Sequence, residues 1–312
     1  MTDVVVVGSI NYDLGLRVQR LPWAGETVLS SALTRRPGGK GANQAVAVQE
    51  AGASCSMVAT VGSDGSPLVD QLRGHGVDTS RMRVDASAMT GTAVIMIDDD
   101  GQNSIIVSPG ANESLTAGEV FAAVAGIPDA LVVLTQGESP IPAVEAAAVA
   151  ARAASLRFVL DLPPAVAGPP RGLRFVLNPA PAAAARRRAS GPADPLGVNE
   201  LEAEEVALAL GLDVDGIPTG ELASALAAVA RSVVITLGAG GAVWASRGEG
   251  GRTHAERVEV VDTTGAGDAF VGAMVAALTR GADLATAVRV GVSAGTRAVQ
   301  SLGARAAGQA VR

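Results

Sequence analysis

Short apolar runs alternate along the chain with segments that have helical periodicity. The apolar runs cover residues 4–8, 56–61, 130–135, 157–160 and 232–237. Runs without polar positions are typical of strands buried on both faces of a sheet. Helical patterns cover residues 41–51, 66–75, 116–125, 141–154, 200–210, 220–230, 267–280 and 284–301. This alternation predicts a single α/β domain over 1–312, with a doubly wound, mostly parallel sheet and helices on both faces.

Two segments interrupt this alternation, at about 14–34 and 89–108. They contain alternating or β-rich runs with turn residues between them and no helical pattern. We expect them to form a small sheet that projects from the main domain. The favoured interpretation is a lid over a cleft, and the alternative is an ordinary hairpin at the sheet edge.

A direct repeat occupies the middle of the chain. Residues 157–173 and 174–190 both begin with RFVL, and the two units share eight identities at a period of 17 residues. Two copies are too few to make a stacked array, so the pattern indicates a local duplication.

Composition narrows the class of protein. Apolar residues make up 48% of the chain but aromatic residues only 2%, so Ala, Val, Leu and Ile must fill the core. A net charge of −7 disfavours nucleic acid or an anionic membrane as partner. One cysteine, Cys55, excludes an internal disulfide, and two histidines disfavour a zinc site. The sequence shows no signal peptide and no apolar run long enough for a membrane span, so we expect a soluble cytoplasmic protein.

The stretch VVDTTGAGDAF joins a strand-like run to a helical pattern. Glycines allow a backbone to pass close to a ligand, and free N–H groups at a helix start attract anions. The small residues Gly265, Ala266 and Gly267 therefore predict an anion site, with the carboxylate of Asp268 beside it. This combination suits phosphoryl transfer, in which amides hold the phosphoryl group and a carboxylate accepts a hydroxyl proton. The alternative is that Asp268 only caps the helix.

The stretch PGGKGANQA holds Lys40, the only lysine in the chain. Gly38 and Gly39 are interpreted as positions where the backbone approaches a ligand. Lysine is a flexible point charge suited to a phosphate or polyol oxygen, and Asn43 offers both a donor and an acceptor. The alternative is a solvent-exposed glycine-rich turn.

A third candidate is GSINYDL, which follows the first predicted strand. Asn11 and Asp13 are two residues apart, so in an extended segment their side chains point to the same side. An amide and a carboxylate placed together can bind a vicinal diol. A polar strand exit is the alternative.

These stretches resemble the signatures of the PfkB-type, ribokinase-like family of sugar kinases. GGKGAN at 38–43 matches the N-terminal glycine signature, and DTTGAGD at 262–268 matches the C-terminal one. QGES at 136–139, NPAP at 178–181, VNELEAE at 198–204 and TLGAGGAVW at 236–244 stand between them in the family's order. The pair of signatures is highly specific, and the resemblance covers nearly the whole chain.

The resemblance implies MgATP as phosphoryl donor and a sugar as acceptor, with D-ribose and its 5-hydroxyl first. Fructose, a deoxysugar acid or a nucleoside is the alternative acceptor, and a catalytically idle sugar-binding protein is a further one. The implied sugar-pocket residues are Asn11, Asp13, Gly39, Lys40, Asn43 and Glu138, with Asp268 as catalytic base beside Gly265, Ala266 and Gly267. The implied nucleotide residues are Asn199, Thr236, Gly238, Gly241, Gly267 and Val292, and Glu202 would hold Mg²⁺ through water.

The resemblance also implies a monovalent-cation site for K⁺ and a homodimer formed through the lid. The implied cation ligands are Asp262, Thr264, Ala298, Ser301 and Gly303. The chain departs from the family at Ala307, where a serine is usual, so one ligand is missing. It also departs at the repeat: the spacing from Asn178 to Asn199 is the usual one, so the first copy is interpreted as an insertion. The sequence leaves open whether residues 157–160 or residues 174–177 form the sheet strand.

Overall fold

An eight-stranded sheet forms the centre of the computed structural model, which describes residues 1–162, 193–301 and 303. In spatial order its strands are β14 (Glu249–Thr253), β13 (Ala242–Ser246), β12 (Ser232–Thr236), β11 (Leu196–Asn199), β10 (Arg157–Asp161), β9 (Val132–Gln136), β1 (Val4–Val7) and β4 (Cys55–Val58). The six strands from β12 to β4 are parallel, whereas β13 and β14 add an antiparallel hairpin. The predicted mostly parallel sheet is confirmed, although the pattern did not predict the hairpin.

The sequence of strand β1 is apolar throughout because both faces of the strand are buried. Its four valines are fully buried. Val5 and Val7 belong to one hydrophobic core and Val4 and Val6 to the other. Successive side chains of a strand point to opposite faces, so a strand between two helical layers needs apolar residues at every position.

Helices cover both faces of the sheet, as the periodicity predicts. One layer consists of α1 (Lys40–Glu50), α2 (Ser66–Gly74), α7 (Ala266–Thr279) and α8 (Leu284–Ala298). The other consists of α3 (Ala117–Ala125), α4 (Ile141–Ala153), α5 (Glu200–Ala209) and α6 (Thr219–Leu226). Two short 3₁₀ helices cover Gly110–Ser114 and Gly238–Gly240. The doubly wound architecture positions the site, because ligands of such sheets bind at the carboxyl ends of the parallel strands.

The strand order reverses at β1, whose neighbours are β4 on one side and β9 on the other. Such a reversal opens a crevice beyond the carboxyl ends of the strands that flank it. Ser9 follows β1 and Glu138 follows β9, and the Ser9 hydroxyl donates a hydrogen bond of 2.5 Å to the Glu138 carboxylate. The crevice is therefore lined by polar groups from both strands.

A separate four-stranded sheet consists of β3 (Ala32–Gly38), β2 (Asn11–Arg17), β7 (Gly91–Ile97) and β8 (Asn103–Ser108), in that order. The predicted small sheet is therefore present, but its first strand begins at Asn11 rather than near residue 14. The single strand expected over 56–61 is wrong, because β4 ends at Val58 and β5 (Thr60–Gly62) pairs instead with β6 (Arg83–Asp85).

The first copy of the repeat supplies a strand of the main sheet. Strand β10 lies between β9 and β11, and its residues Val159 and Leu160 are fully buried. The sequence left open which RFVL segment occupies the sheet, and the described residues place the first one there. The favoured interpretation of the first copy as an insertion therefore does not hold for its RFVL segment. Residues 174–190, the second copy, lie outside the described residues.

The two copies can be compared directly by mutation. We expect Leu160→Ala to lower the free energy of unfolding by about 2–5 kcal/mol, because it removes a fully buried side chain from a packed core. Leu177→Ala, at the same position of the second copy, is the matched control. Chemical denaturation measures both variants. A large loss in Leu177→Ala with none in Leu160→Ala would assign the strand to the other copy.

Candidate active site

The predicted anion site lies at the start of α7. Gly265 precedes the helix with a φ of 75°, a left-handed conformation that glycine adopts without strain, and no side chain caps the helix. The amide of Ala266 donates to the Thr263 carbonyl at 3.2 Å, so it is already bonded within the turn. The amides of Gly267 and Asp268 have no acceptor among the described residues. They are the donors that this helix start can offer to a phosphate group.

Asp268 is buried in the first turn of α7, and amide side chains of α1 hold both of its oxygens. Asn43 Nδ2 donates to Oδ2 at 2.9 Å, and Gln44 Nε2 donates to Oδ1 at 3.0 Å. Burial raises the pKa of Asp268 to about 7, and the Asp161 charge also raises it, against the opposing effects of Lys40 and the two amides. A carboxylate with a pKa near 7 is suited to accept a proton at neutral pH. Asp268 is therefore more than a helix cap.

Lys40 begins α1, and its ammonium lies among carboxylates. Its Nζ is 3.5 Å from Asp161 Oδ2, and its backbone N–H donates to Glu138 Oε2 at 3.1 Å. Burial alone would lower the pKa of Lys40, but the negative charges of Asp161, Asp268, Glu202 and Glu138 outweigh it and raise the pKa. The side chain therefore stays protonated in the cleft.

The glycines before Lys40 are closely packed against other parts of the protein. A Cβ at Gly38 would lie 2.1 Å from the Asp13 carboxylate, and one at Gly39 would lie 2.8 Å from the Ile10 Cα. Gly39 also has a φ of 88°. Close protein atoms are a sufficient reason for glycine at these two positions, and the predicted approach of a ligand to the same backbone stays a prediction.

Asn11 and Asp13 lie near the start of β2, where the small sheet meets the crevice. The Asn11 Oδ1 accepts a hydrogen bond of 2.8 Å from Asn112 Nδ2. Asn112 also bonds the backbone of Ile10 through both of its side-chain atoms. Asn112 is thus an orienting residue that the sequence pattern did not reveal. Asp13 is half-buried beside Gly38, close to the turn that carries Lys40.

Asn199 and Glu202 form a capping box at the start of α5. The Asn199 side chain accepts a hydrogen bond of 2.9 Å from the Glu202 amide, and the Glu202 carboxylate accepts one of 2.6 Å from the Asn199 amide. Their spacing therefore has a local structural reason as well as the implied functional one. Burial raises the pKa of Glu202 to about 7, although the hydrogen bond from Asn199 lowers it.

One cavity of about 220 Å³ brings seven of the predicted residues together. Its lining includes Lys40, Asn199, Glu202, Thr236, Gly265, Gly267 and Asp268, together with Asp161, which was not predicted. Of the other implied nucleotide residues, Gly238 begins a 3₁₀ helix, Gly241 ends it with a φ of 87°, and Val292 is buried in the core on α8. None of these three is among the lining residues of this cavity.

The implied cation ligands lie behind the helix start. Asp262 accepts hydrogen bonds of 2.9 Å at each oxygen, from the amides of Thr264 and Gly303. Ala298 ends α8, and its carbonyl accepts a hydrogen bond of 3.2 Å from the Ser301 amide. The carboxylate therefore ties the loop before α7 to the segment after α8. Ala307 lies outside the described residues.

Besides Asn112, the sequence analysis missed three residues of the site: Asp161, Gln44 and Gln136. A signal for Asp161 was present, because it is the first polar residue after a buried parallel strand. Gln44 follows Lys40 by four residues, which places both on one face of a helix. Gln136 ends β9 and donates a hydrogen bond of 2.6 Å to Gln44 Oε1.

A doubly wound sheet, a helix start with free amides and a buried carboxylate of raised pKa beside a lysine fit an enzyme that transfers a phosphoryl group. A model of the pfkB family of carbohydrate kinases matches residues 1–310. The chain therefore belongs to the pfkB family of carbohydrate kinases, which confirms the resemblance of the two glycine signatures. It is an ATP-dependent sugar kinase.

Individual relatives agree with this assignment. Ribokinase of Staphylococcus aureus is 35% identical over 309 residues, which cover 97% of this chain and 95% of that protein. Ribokinase of Bacillus subtilis is 34% identical over 307 residues, covering 98% and 95%. The structure of Arabidopsis thaliana ribokinase complexed with ribose and ATP has a TM-score of 0.80 and 28% identity, covering 97% of this chain and 94% of that one. Within the described residues, no helix is long and apolar enough to cross a membrane.

Two glycine substitutions distinguish a glycine next to the ligand site from a glycine that the backbone conformation requires. A Cβ at Gly267 would meet no atom within 4 Å, so we expect Gly267→Ala to fold normally. Its methyl group should obstruct a phosphate at the α7 start and lower kcat/KM by at least about tenfold, or about 1.4 kcal/mol. Gly39→Ala is the contrasting variant and should lose stability because of its backbone strain. Thermal unfolding and initial rates measure both effects, and full activity in Gly267→Ala would contradict the anion site.

Proposed function

We propose that the enzyme transfers the γ-phosphoryl group of ATP to the 5-hydroxyl of D-ribose. The observation that carries the proposal is the placement of Asp268, Lys40 and the uncapped start of α7 in one cavity. The relatives named as ribokinases, and the neighbour complexed with ribose and ATP, support ribose as the acceptor. Because ATP is the donor, we place the reaction in the cytoplasm.

In the proposed reaction, Asp268 accepts the proton of the sugar hydroxyl as the hydroxyl oxygen attacks the γ-phosphorus. The bond from that phosphorus to the β–γ bridging oxygen breaks, so that ADP leaves. The amides at the start of α7 and the Lys40 ammonium stabilise the negative charge of the transferring phosphoryl group. Positioning and electrostatics supply most of the catalysis, because phosphoryl transfer needs little covalent participation by the protein.

Two neighbouring regions would complete the substrates' sites. The sugar would be held by residues that surround the turn before α1. These residues are Asn11, Asp13, Gly39, Asn43 and Glu138. On the nucleotide side, Mg²⁺ would arrive with the ATP phosphates, because this ion is usually bound by substrate phosphates together with one or two carboxylates. Glu202 fits such an ion through water, because a nearby cation would favour the ionised form of this buried carboxylate. The ion would neutralise phosphate charge.

A panel of acceptors tests the proposed substrate. D-ribose, fructose, a deoxysugar acid and a nucleoside are each incubated with MgATP, and ADP formation is followed by a coupled assay. We expect ribose to give the highest kcat/KM. A higher value for fructose, the deoxysugar acid or the nucleoside would reassign the acceptor. No turnover with any acceptor would favour a sugar-binding protein that lacks catalysis.

Removal of the base gives the second test. Asp268→Asn keeps the size of the side chain but cannot accept the hydroxyl proton, so we expect kcat to fall by about 10²–10⁴-fold. In the unmodified enzyme, kcat/KM should fall as the pH decreases through about 7, because protonation of Asp268 removes the base. Circular dichroism checks the fold of the variant. Turnover close to that of the unmodified enzyme would refute the assignment of Asp268.

We propose further that K⁺ activates the enzyme by fixing the loop before α7. Asp262 supplies a carboxylate next to the loop, and backbone carbonyls could complete an oxygen shell that suits a large, weakly hydrated ion. Initial rates at constant ionic strength should be higher in K⁺ than in Na⁺ or a bulky organic cation. Asp262→Asn should reduce this difference. Equal rates in all three salts would show that no cation is required.

We also propose that two copies pair through the small sheet. Its edge strand β8 exposes three consecutive apolar residues, Ile105, Ile106 and Val107, and its other edge strand exposes Leu33. Exposed apolar edge strands favour association. Light scattering at micromolar concentration should give a dimer mass, and Ile106→Lys should give a monomer. Val84→Lys, at an equally exposed site outside this sheet, is the control. A monomeric unmodified protein would contradict the proposal.

A further inference from the structure

Asp161 is a buried charged residue in the cavity to which the proposed reaction gives no role. It ends β10 and is only 9% exposed. Its Oδ2 accepts a hydrogen bond of 2.7 Å from Gln44 Nε2 and lies 3.5 Å from Lys40 Nζ. The charge of a buried carboxylate interacts strongly with neighbouring charged groups, because the dielectric constant is low inside a protein.

Gln44 connects Asp161 to the base. The same Nε2 that donates to Asp161 also donates to Asp268 Oδ1, at 3.0 Å. A side-chain amide nitrogen carries two hydrogens, so one can serve each carboxylate. Gln136 donates to Gln44 Oε1 at 2.6 Å, which fixes the amide with its nitrogen towards the two acids. Gln44 and Gln136 are both fully buried, so water does not replace these contacts.

We propose that Asp161 is a positioning residue for phosphoryl transfer, which holds the Gln44 amide and through it fixes the orientation of the Asp268 carboxylate. This role rests on the proposed function, in which Asp268 is the base. Without Asp161, the Gln44 amide would lose one of its two acceptors and could turn away from Asp268. The sugar hydroxyl would then meet a base of less defined orientation.

Asp161 acts on Asp268 through its charge as well. The charged groups that act on Asp268 are Lys40 on α1 and Asp161 on β10. Lys40 is itself influenced by Glu202 on α5 and Glu138 after β9, besides these two aspartates. The negative charge of Asp161 raises the pKa of Asp268, whereas Lys40 lowers it. Loss of the Asp161 charge therefore lowers the pKa of Asp268 directly, and it leaves the Lys40 charge less compensated, which acts in the same direction.

Two variants separate the hydrogen bond from the charge. Asp161→Asn keeps an oxygen that can accept from Gln44 but removes the charge, whereas Asp161→Ala removes both. For Asp161→Asn we expect kcat at high pH to stay within about threefold of that of the unmodified enzyme. The acid limb of the pH profile of kcat/KM should move to lower pH by about half a unit or more. For Asp161→Ala we expect kcat to fall about 10- to 100-fold at every pH, with the KM for ATP unchanged.

Asp194→Asn is the matched control for the loss of one negative charge. Asp194 lies at the opposite end of β10, where it pairs with Arg157. The acid limb of this variant should stay in place. A shift equal to that of Asp161→Asn would show a general charge effect and overturn the proposal, as would an unmoved limb in Asp161→Asn.

The repeat provides one further control. Asn178 occupies the position of Asp161 in the second copy, outside the described residues. If Asn178→Ala altered the acid limb and Asp161→Asn did not, the residue beside Gln44 would come from that copy, and the proposal would be wrong. Failure of the proposed function itself is seen separately, as retained turnover in Asp268→Asn.

Discussion

The site depends on one ammonium placed among four carboxylates. Lys40 is the only lysine of the chain, and its charge opposes those of Asp161, Asp268, Glu202 and Glu138. Removing a carboxylate from water without a partner costs several kcal/mol, so this group of acids is tolerable only with the cation in place. The four acids come from β10, α7, α5 and the loop after β9. The cluster therefore forms only when these elements have assembled around the start of α1.

The amide side chains extend this arrangement. Asn43 and Gln44 donate to the two oxygens of Asp268, and Gln136 holds Gln44 in turn. Hydrogen bonds to the ionised form oppose the effect of burial on the carboxylate. The balance leaves the pKa of Asp268 at about 7, between that of a solvated acid and that of an isolated buried one. Such a group can both hold and release a proton under neutral conditions.

Local pattern was sufficient to predict much of the fold. Strand β1 is apolar at every position because it contacts two helical layers. Each of the eight predicted helical segments contains a helix. The helix start at 265–268 was also visible, because glycines and an acid occur together there. These features depend on residues that are neighbours in the sequence, so periodicity and spacing report them directly.

Features that depend on distant contacts were not predictable in this way. Asp161 and Gln44 are 117 residues apart, and only the assembled sheet brings them together. The reason for glycine at position 38 is the Asp13 carboxylate on a neighbouring strand, which no local pattern shows. The repeat left the choice of the sheet strand open for the same reason, since two identical RFVL segments have equal local preference for a strand. Their tertiary surroundings alone distinguish them.

The position of β2 links substrate occupancy to the conformation of the small sheet. This strand begins next to the crevice and runs between β3 and β7, so Asn11 and Asp13 cannot move independently of that sheet. In the proposed function these two side chains hold the sugar, so a sugar that bound one orientation of the sheet more tightly would shift the population towards that orientation. The free energy of this reorientation would then be part of the affinity for the sugar. A change that altered the resting orientation of the sheet would alter that affinity, even if it touched no residue of the crevice.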